Sequence, residues 1–430
     1  MPSKRRNWLP RIMGRKWPTV VLLCLVFVGF SLFIAQDAAT LTARTSRLVG
    51  DPEFPDYLAE LVGARVSNGD TYVVLQNGDE LIPAMLGAIK QARTSILFES
   101  FVYTEGEVEK QFTSALAEAA ERGVRVRVVL DGLGASPLPE GMEERFKKAG
   151  VKTAWFNPVG LFTLENYNYR THRKLLVVDG EVAFTGGAGV ADHWLGHAQD
   201  EDHWRDTQFR ITGPAVRSFE AAFYENWLEA GGEGAPEITL DQPSRPTGAR
   251  SIIIRSNATE GASNVKLLYL YLMVSAQRSI DIQSPYFILD TSVRSALTEA
   301  RKRGVKIRIL TDGEITDAKS VKHASRNGYS SVLEAGDRIL EFQPTMMHVK
   351  LMIVDDEWSV FGSANFDNRS FELNDEISAA VADKELAATL SKAFERDMTQ
   401  SKELRIDEWR RRPLHQRVRE KFWGLFGEAF

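Results

Sequence analysis

Two stretches of this chain set a histidine, a lysine and an aspartate at the same intervals: His172-x-Lys174-x4-Asp179 and His348-x-Lys350-x4-Asp355. Six residues beyond each aspartate comes a small-residue loop, Gly186-Gly187 in the first copy and Gly362-Ser363-Ala364-Asn365 in the second. Three fixed positions match by chance on the order of once in ten thousand starts at average residue usage, so two copies with matching glycines are not an accident. An imidazole is a nucleophile or a proton carrier, an ammonium is a fixed positive charge, and glycine lets backbone N–H groups approach an anion closely. Gathered on one face, these groups form a site for a phosphoryl group.

The elements that must position them are legible from the same residues. Leu175 to Val178 is a short apolar run closed by Asp179-Gly180, and Glu181 to Phe184 follows, which predicts a β-hairpin. Leu351 to Val354, Asp355-Asp356 and Trp358 to Phe361 predict a second hairpin. Side chains alternate along extended chain, so each histidine shares a face with the lysine two residues on. Upstream of each hairpin the order strand, helix, glycine stop, strand recurs: Ser95–Phe101, Glu107–Arg122, Gly123 and Val124–Leu130, then Ser279–Phe287, Ser292–Arg303, Gly304 and Val305–Leu310.

In these motifs the chain resembles the phospholipase D superfamily, whose pattern is H-x-K-x4-D-x6-G-S/G-x-x-N, and within it the bacterial cardiolipin synthases. Asn168-x-Arg170-x-His172, Trp204-Arg205-Asp206-Thr207, Gly213-Pro214-Ala215-Val216, Ser284-Pro285-Tyr286-Phe287 and Gly362 to Ser370 carry the likeness, which spans roughly residues 75 to 430. The first copy departs from the pattern, with Gly189 where the superfamily usually has asparagine. The fold expected is α/β: two duplicated phospholipase D-like lobes, each a mixed β-sheet flanked by helices, with the active site at their interface. Residues 71–230 and 251–400 are the expected lobes, joined by the breaker-rich stretch 231–250 with Pro236, Pro243 and Pro246.

The resemblance implies that His172 attacks a phosphodiester to give a phosphohistidine, while His348 protonates the departing alkoxide and later deprotonates the acceptor. Lys174, Lys350 and Asn365 are expected on the non-bridging oxygens, with Ser363 and Gly187 completing the phosphate-binding set. Asp206 and Glu376 are the candidates to orient the imidazoles. Asp179 and Asp355 belong to the motif but sit at turns, where aspartate is favoured structurally, and read as scaffold rather than proton carriers. No metal or cofactor is expected, because the two lysines supply the positive charge. His193 and His197, four apart with His203, Asp200 and Asp202 nearby, admit a metal site on spacing that alone is weak evidence. Tyr286 and Phe287 line either the lipid entrance or the core.

The ends of the chain speak to location. Thr19 to Ala35 is apolar apart from Thr19 and Ser31, near the short end of the ~17–25 residues that span a bilayer. Six basic residues, Lys4 to Lys16, precede it. Residues 17–36 are therefore expected as an uncleaved transmembrane helix. The basic segment 1–16 would be cytoplasmic, 37–70 a linker, and the catalytic body on the outer, periplasmic side of the inner membrane. The only cysteine, Cys24, lies in the apolar run, so no intrachain disulfide is available. The tail 401–430 is basic and amphipathic, with Leu414, Val418, Phe422 and Leu425 on one helical face, the pattern of an interfacial helix drawn to anionic lipid. Residues 1–16 carry +6 and 401–430 carry +3, which leaves −14 on the remainder of a chain whose net charge is −5. A body so acidic is a poor partner for nucleic acid and argues against a nuclease.

The expected function is a membrane-anchored phosphatidyltransferase acting on phospholipid substrates, making cardiolipin from phosphatidylglycerol. Its rivals are a phospholipase D that passes the intermediate to water, separated only by exclusion of water from the acceptor pocket, and a non-catalytic lipid-binding protein that keeps the fold.

Overall fold

The computed structural model describes residues 40–158, 167–240, 247–257, 263–427 and 430. The expected cytoplasmic segment 1–16 and transmembrane helix 17–36 lie outside the described residues. Among the described residues no helix is long and apolar enough to cross a membrane.

Eight strands come from the first half: β1 (Val66–Gln76), β2 (Ser95–Ser100), β3 (Arg125–Asp131), β4 (Lys152–Phe156), β5 (Arg170–Thr171), β6 (Leu175–Val178), β7 (Val182–Gly186) and β8 (Thr207–Thr212). Nine follow: β9 (Ala249–Arg255), β10 (Ser279–Gln283), β11 (Lys306–Asp312), β12 (Arg338–Phe342), β13 (Leu351–Val354), β14 (Trp358–Gly362), β15 (Asn374–Asp375), β16 (Ile377–Ala382) and β17 (Ser401–Glu403). Fifteen of them form one mixed sheet in the order β17-β12-β11-β10-β13-β14-β16-β9-β1-β8-β7-β6-β2-β3-β4. Outward from the central antiparallel pair β1–β9, one side reads β8-β7-β6-β2-β3-β4 and the other β16-β14-β13-β10-β11-β12, with parallel pairing confined to the outer strands β2–β3–β4 and β10–β11–β12.

Local sequence accounts for these elements. In the helix Glu107–Glu121, Val108, Phe112, Leu116 and Ala119 recur on one buried stripe, and Gly123 at φ 92° ends it as only glycine does without cost. The helix Thr291–Lys302 starts at Asp290, whose carboxylate accepts the Val293 N–H at 2.7 Å, and is followed by Gly304 at φ 82°. Both motif hairpins form in the expected place, with Val178 opposite Val182 and Val354 opposite Trp358.

Three apolar cores result. One lies under the first-half helices around Leu81, Phe98, Phe112 and Leu116, and a second under the later helices around Leu268, Met273, Ile307 and Tyr329. The third belongs to neither half. It joins Leu97, Val129, Phe156 and Leu175 to Leu340, Ile353, Phe361 and Phe394, and Phe209 stacks on Phe361 with ring centroids 3.5 Å apart.

Two expected boundaries are corrected. The stretch 37–70 is not a bare linker: it carries the helix Phe54–Leu61, whose Phe54 and Leu58 are fully buried in the core of the later half, and β1 begins at Val66. Alternating Phe and Leu four apart supply an apolar face that must be covered. The joint 231–250 likewise gives its last two residues to β9. Because the third core is shared, truncating it should destabilise the whole body at once. Phe361→Ala is expected to lose about 3–5 kcal/mol in a single guanidinium transition followed by tryptophan fluorescence; two separated transitions would show that the halves unfold independently.

Candidate active site

His172, Arg173 and Lys174 bridge β5 and β6 in extended chain, so alternate side chains part company. His172 and Lys174 face a cleft of about 650 Å3. Arg173 turns the opposite way and is wholly buried, donating to the Ala222 and Ser256 carbonyls, Asn226 and Glu225. In the second copy His348 lines the same cleft and Val349 points into the shared core, while Lys350 is buried and is not among the residues lining the cleft.

Each histidine is set by the opposite half of the chain. β5 pairs in parallel with β15, and the His172 N–H donates to the Asp375 carbonyl at 2.9 Å. The next residue is Glu376, whose Oε1 lies 2.9 Å from His172 Nδ1. On the other side Arg205 bridges Met347, and the His348 N–H donates to the Arg205 carbonyl at 2.7 Å. The next residue there is Asp206, with Oδ2 at 2.9 Å from His348 Nδ1. Both expected orienting carboxylates are thus in place, crossed between halves, and both are fully buried. With Nδ1 so engaged, Nε2 of each ring is left to the cleft.

The two carboxylates are held differently. Glu376 also accepts the Ser363 hydroxyl, and its own N–H donates to Ser256 Oγ at 2.9 Å. Asp206 accepts Trp194 Nε1 at 2.9 Å and the Thr207 N–H at 2.7 Å. Burial works against the charge of Glu376, but His172 and Lys174 outweigh it and hold that carboxyl at about 2. At Asp206 burial wins over Lys350 and raises it to about 6. Burial also lowers both imidazoles, His172 to about 4 against the pull of Glu376, and His348 well below its ordinary value with Lys350 and Lys174 adding to the effect. Burial thus works against the cationic form of both rings, and of the two carboxylates Glu376 is the more firmly ionised.

The lysines donate back to their own motifs, Lys174 Nζ to the His172 carbonyl at 2.7 Å and Lys350 Nζ to the His348 carbonyl at 2.8 Å. Burial brings Lys174 down to about 7 and Lys350 to about 8. Phe101 lies over Lys174, 5.3 Å from Nζ to the ring centre, and edge-on to His172 at 5.3 Å. Asn365 lines the cleft, its side-chain amide buried and its oxygen without a partner.

Four residues of the expected motif set stand away from the cleft. Ser363 spends its hydroxyl on Glu376, and Gly187 packs where a Cβ would collide with the Asp206 carboxylate and the His348 carbonyl; neither is among the residues lining the cleft. Asp179 and Asp355 sit at the far ends of β6 and β13, one strand length from the histidines. Asp179 accepts the N–H groups of Arg93, Thr94 and Ser95, and Asp355 those of Gln277, Arg278 and Ser279, all between 2.6 and 3.2 Å. They clamp the turn before β2 and β10, as their scaffold reading requires. Gly189 is explained as well: a Cβ there would come within 2.9 Å of Val102 and 3.2 Å of Trp194, so the side chain found in the second loop has no room in the first.

The remaining histidines have separate partners. His193 is wedged at a tilt between Trp204, centroid 3.7 Å, and Trp194, 4.1 Å, while His197 pairs with Asp79 and His203 with Asp200. Tyr286 lines the cleft and donates to Asp317, whereas Phe287 is fully buried in the core. Much of the wall was not legible from the motifs: Phe101, Trp194, Asp317, and the tail residues Trp423, Phe426 and Phe430. Phe101 had a weak signal, as an aromatic directly after the end of β2. Trp194 ends a single 3-10 turn, Asp192–Trp194, too short to show a period.

A family model described as cardiolipin synthase, phospholipase D-like domain, matches residues 85–224 and 269–398. Cardiolipin synthase 1 of Bacillus cereus is 33% identical over 375 residues, covering 84% of this chain and 73% of that protein. The cardiolipin synthase of Geobacillus kaustophilus is 34% identical over 361 residues, 83% and 71% respectively. Among solved structures, phosphatidylserine synthase from Haemophilus influenzae Rd KW20 aligns with a TM-score of 0.67 at 14% identity, over 87% of this chain and 100% of that one, a likeness of fold.

Lys174 and Lys350 are charged below about 7 and 8 and neutral above. Anion binding to the empty cleft is therefore present at low pH and lost as pH rises through those values. Sulfate, whose own charge is constant in this range, should bind at least about tenfold more weakly at pH 9 than at pH 6 by calorimetry. A Lys174→Met, Lys350→Met variant should bind weakly at both; pH-independent binding to the unmodified protein would contradict the assignment.

Proposed function

Because the chain belongs to the cardiolipin synthase family of phospholipase D-like proteins, we propose that it moves a phosphatidyl group from phosphatidylglycerol to a second phospholipid alcohol through a phosphohistidine. It is a phosphatidyltransferase of the phospholipase D superfamily; donor, acceptor and intermediate are the proposal. The observation that carries it is the pair of imidazoles on one cleft, each with Nδ1 on a buried carboxylate from the opposite half. We also read the two matched strand orders as a duplication, with the cleft between its two lobes, the first taking in β1 from Val66 and the second beginning with β9 at Ala249.

His172 Nε2 attacks phosphorus, the bond to the glycerol oxygen breaks, and His348 gives that oxygen its proton. The acceptor hydroxyl then loses its proton to His348 and attacks the phosphohistidine, which frees His172. Phosphorylated at Nε2 and protonated at Nδ1, His172 becomes cationic. Glu376, held at about 2, is the more firmly ionised carboxylate and the better partner for that cation. The incoming phosphodiester anion in turn restores proton affinity to His348 and both lysines, whose charge burial alone disfavours. Lys174, Lys350 and Asn365 meet the non-bridging oxygens.

Apolar walls favour a lipid acceptor over water. Leu133, Trp194, Trp204, Val321, Trp423 and Phe426 line the cleft around the reacting groups. The apolar segment 17–36 anchors the enzyme in the inner membrane, with 1–16 cytoplasmic and the body on the periplasmic side.

Incubation with phosphatidylglycerol should yield cardiolipin and glycerol by lipid mass spectrometry, and His348→Ala should slow this by about 10²–10⁴-fold. Phosphatidic acid as the main product would make the enzyme a hydrolase. A p-nitrophenyl phosphodiester needs no acid to depart, so His348→Ala should release one equivalent of nitrophenol and retain the adduct on His172 by peptide mass spectrometry. An adduct on His348 in His172→Ala, with none on His172, would reverse the two roles.

A further inference from the structure

The tail helix Leu414–Gly424 was expected to lie on a membrane, and its packing gives it two faces with different tasks. The inner face is fixed to the body. Glu420 is buried between Arg412, 2.6 Å from Nη1, and Arg326, 3.3 Å from Nε, and Gly424 packs so closely that a Cβ would strike Asn327. Beyond the helix, the Phe430 carbonyl accepts the Arg369 N–H at 3.0 Å, and Trp423, Phe426 and Phe430 form part of the cleft wall.

The outer face has no cover. Leu414 is 73% exposed, Val418 59%, Phe422 49% and Leu425 75%. Twelve large apolar residues are exposed among the described residues; four are these, and two more, Leu133 and Tyr167, line the cleft itself. Six of those twelve residues thus belong either to the outer face of this one helix and its C-terminal end or to the wall of the cleft that the helix helps to build, a clustering that marks an interaction site. Arg410, Arg411, Arg417, Arg419 and Lys421 are exposed around the helix, and Glu420, the acidic residue among them, is buried. On a body that is otherwise strongly acidic, this combination selects a partner that is both apolar and anionic.

We propose that this face docks on an anionic phospholipid bilayer and so seats the rim of the cleft against the lipid from which substrate is drawn. The functional half of this statement rests on the phosphatidyltransferase reading above; the docking itself does not. A second copy of the chain is disfavoured as occupant, since it would bring the same arginines face to face. Apolar side chains entering the acyl boundary beneath a ring of cations is the physics of an interfacial helix. Here the same helix is a wall of the active site, so seating and access are one event.

The full chain in nanodiscs, as a Cys24→Ala, Leu425→Cys variant carrying an NBD label, tests the contact. Doxyl-labelled lipid should quench the label in discs containing phosphatidylglycerol, and several-fold less in phosphatidylcholine discs or after Arg417→Glu with Arg419→Glu. An unquenched label in both disc types overturns the proposal. So does a shielded, unquenched label on particles holding two copies, which would assign the face to self-association. For the consequence, Leu414→Glu with Val418→Glu should lower turnover of bilayer phosphatidylglycerol at least tenfold and leave monomeric dibutyryl-phosphatidylglycerol turned over as before. Equal loss on both lipids would mean damage to the cleft wall and would sink the coupling. Quenching without turnover of either lipid by the otherwise unmodified protein would uphold docking and refute the catalytic reading instead.

Discussion

Everything at the centre of this molecule depends on one exchange: each half of the chain gives the other the carboxylate that holds its histidine. Glu376 reaches His172, and Asp206 reaches His348, each from the residue after the carbonyl that binds the histidine N–H. A buried carboxylate is tolerable only when paired, so separating the halves would strand two charges as well as two imidazoles. The large sheet and the shared core around Phe209 and Phe361 serve this requirement by fixing the halves to one another. Arg205 adds to it, since its guanidinium is buried against Asp397 of the later half at 3.1 Å while its carbonyl supports His348.

The two sites built this way are not copies. Ser363 steadies Glu376 by its hydroxyl, and Trp194 steadies Asp206 by its indole N–H. That substitution explains both glycines of the first loop. At 187 a side chain would meet Asp206, and at 189 the indole and Val102 already fill the space. What reads in sequence as a missing asparagine is a different solution to holding the same carboxylate, paid for by giving up one amide donor. The result is one histidine beside a firmly ionised partner and the edge of Phe101, and another against Trp194 and Trp204 at 5.6 and 5.5 Å.

Sequence reasoning reached the parts governed by local rules. The hairpins were legible because Asp-Gly and Asp-Asp turns between apolar runs force them, and φ near 55° at Asp179 and Asp355 is the conformation those residues accept. The separate faces of His172 and Arg173 followed from alternation alone. Asp206 and Glu376 were found as candidates, but their crossing between halves is a tertiary fact with no local signature. Ser363 and Gly187 were misplaced because a small-residue loop predicts close approach without saying to what. The helix Phe54–Leu61 was passed over because eight residues are too few to show a period.

The clamp at the far end of each motif hairpin changes what the motif measures. From histidine to aspartate runs a single taut strand, one end in the cleft and the other tied to three backbone N–H groups at the start of the neighbouring strand. The spacing is therefore a ruler for the length of that strand. Lengthening it by one residue would leave both ends chemically intact yet turn the imidazole to the wrong side, so the signature is unforgiving of insertions for mechanical reasons, with no part of the chemistry demanding it.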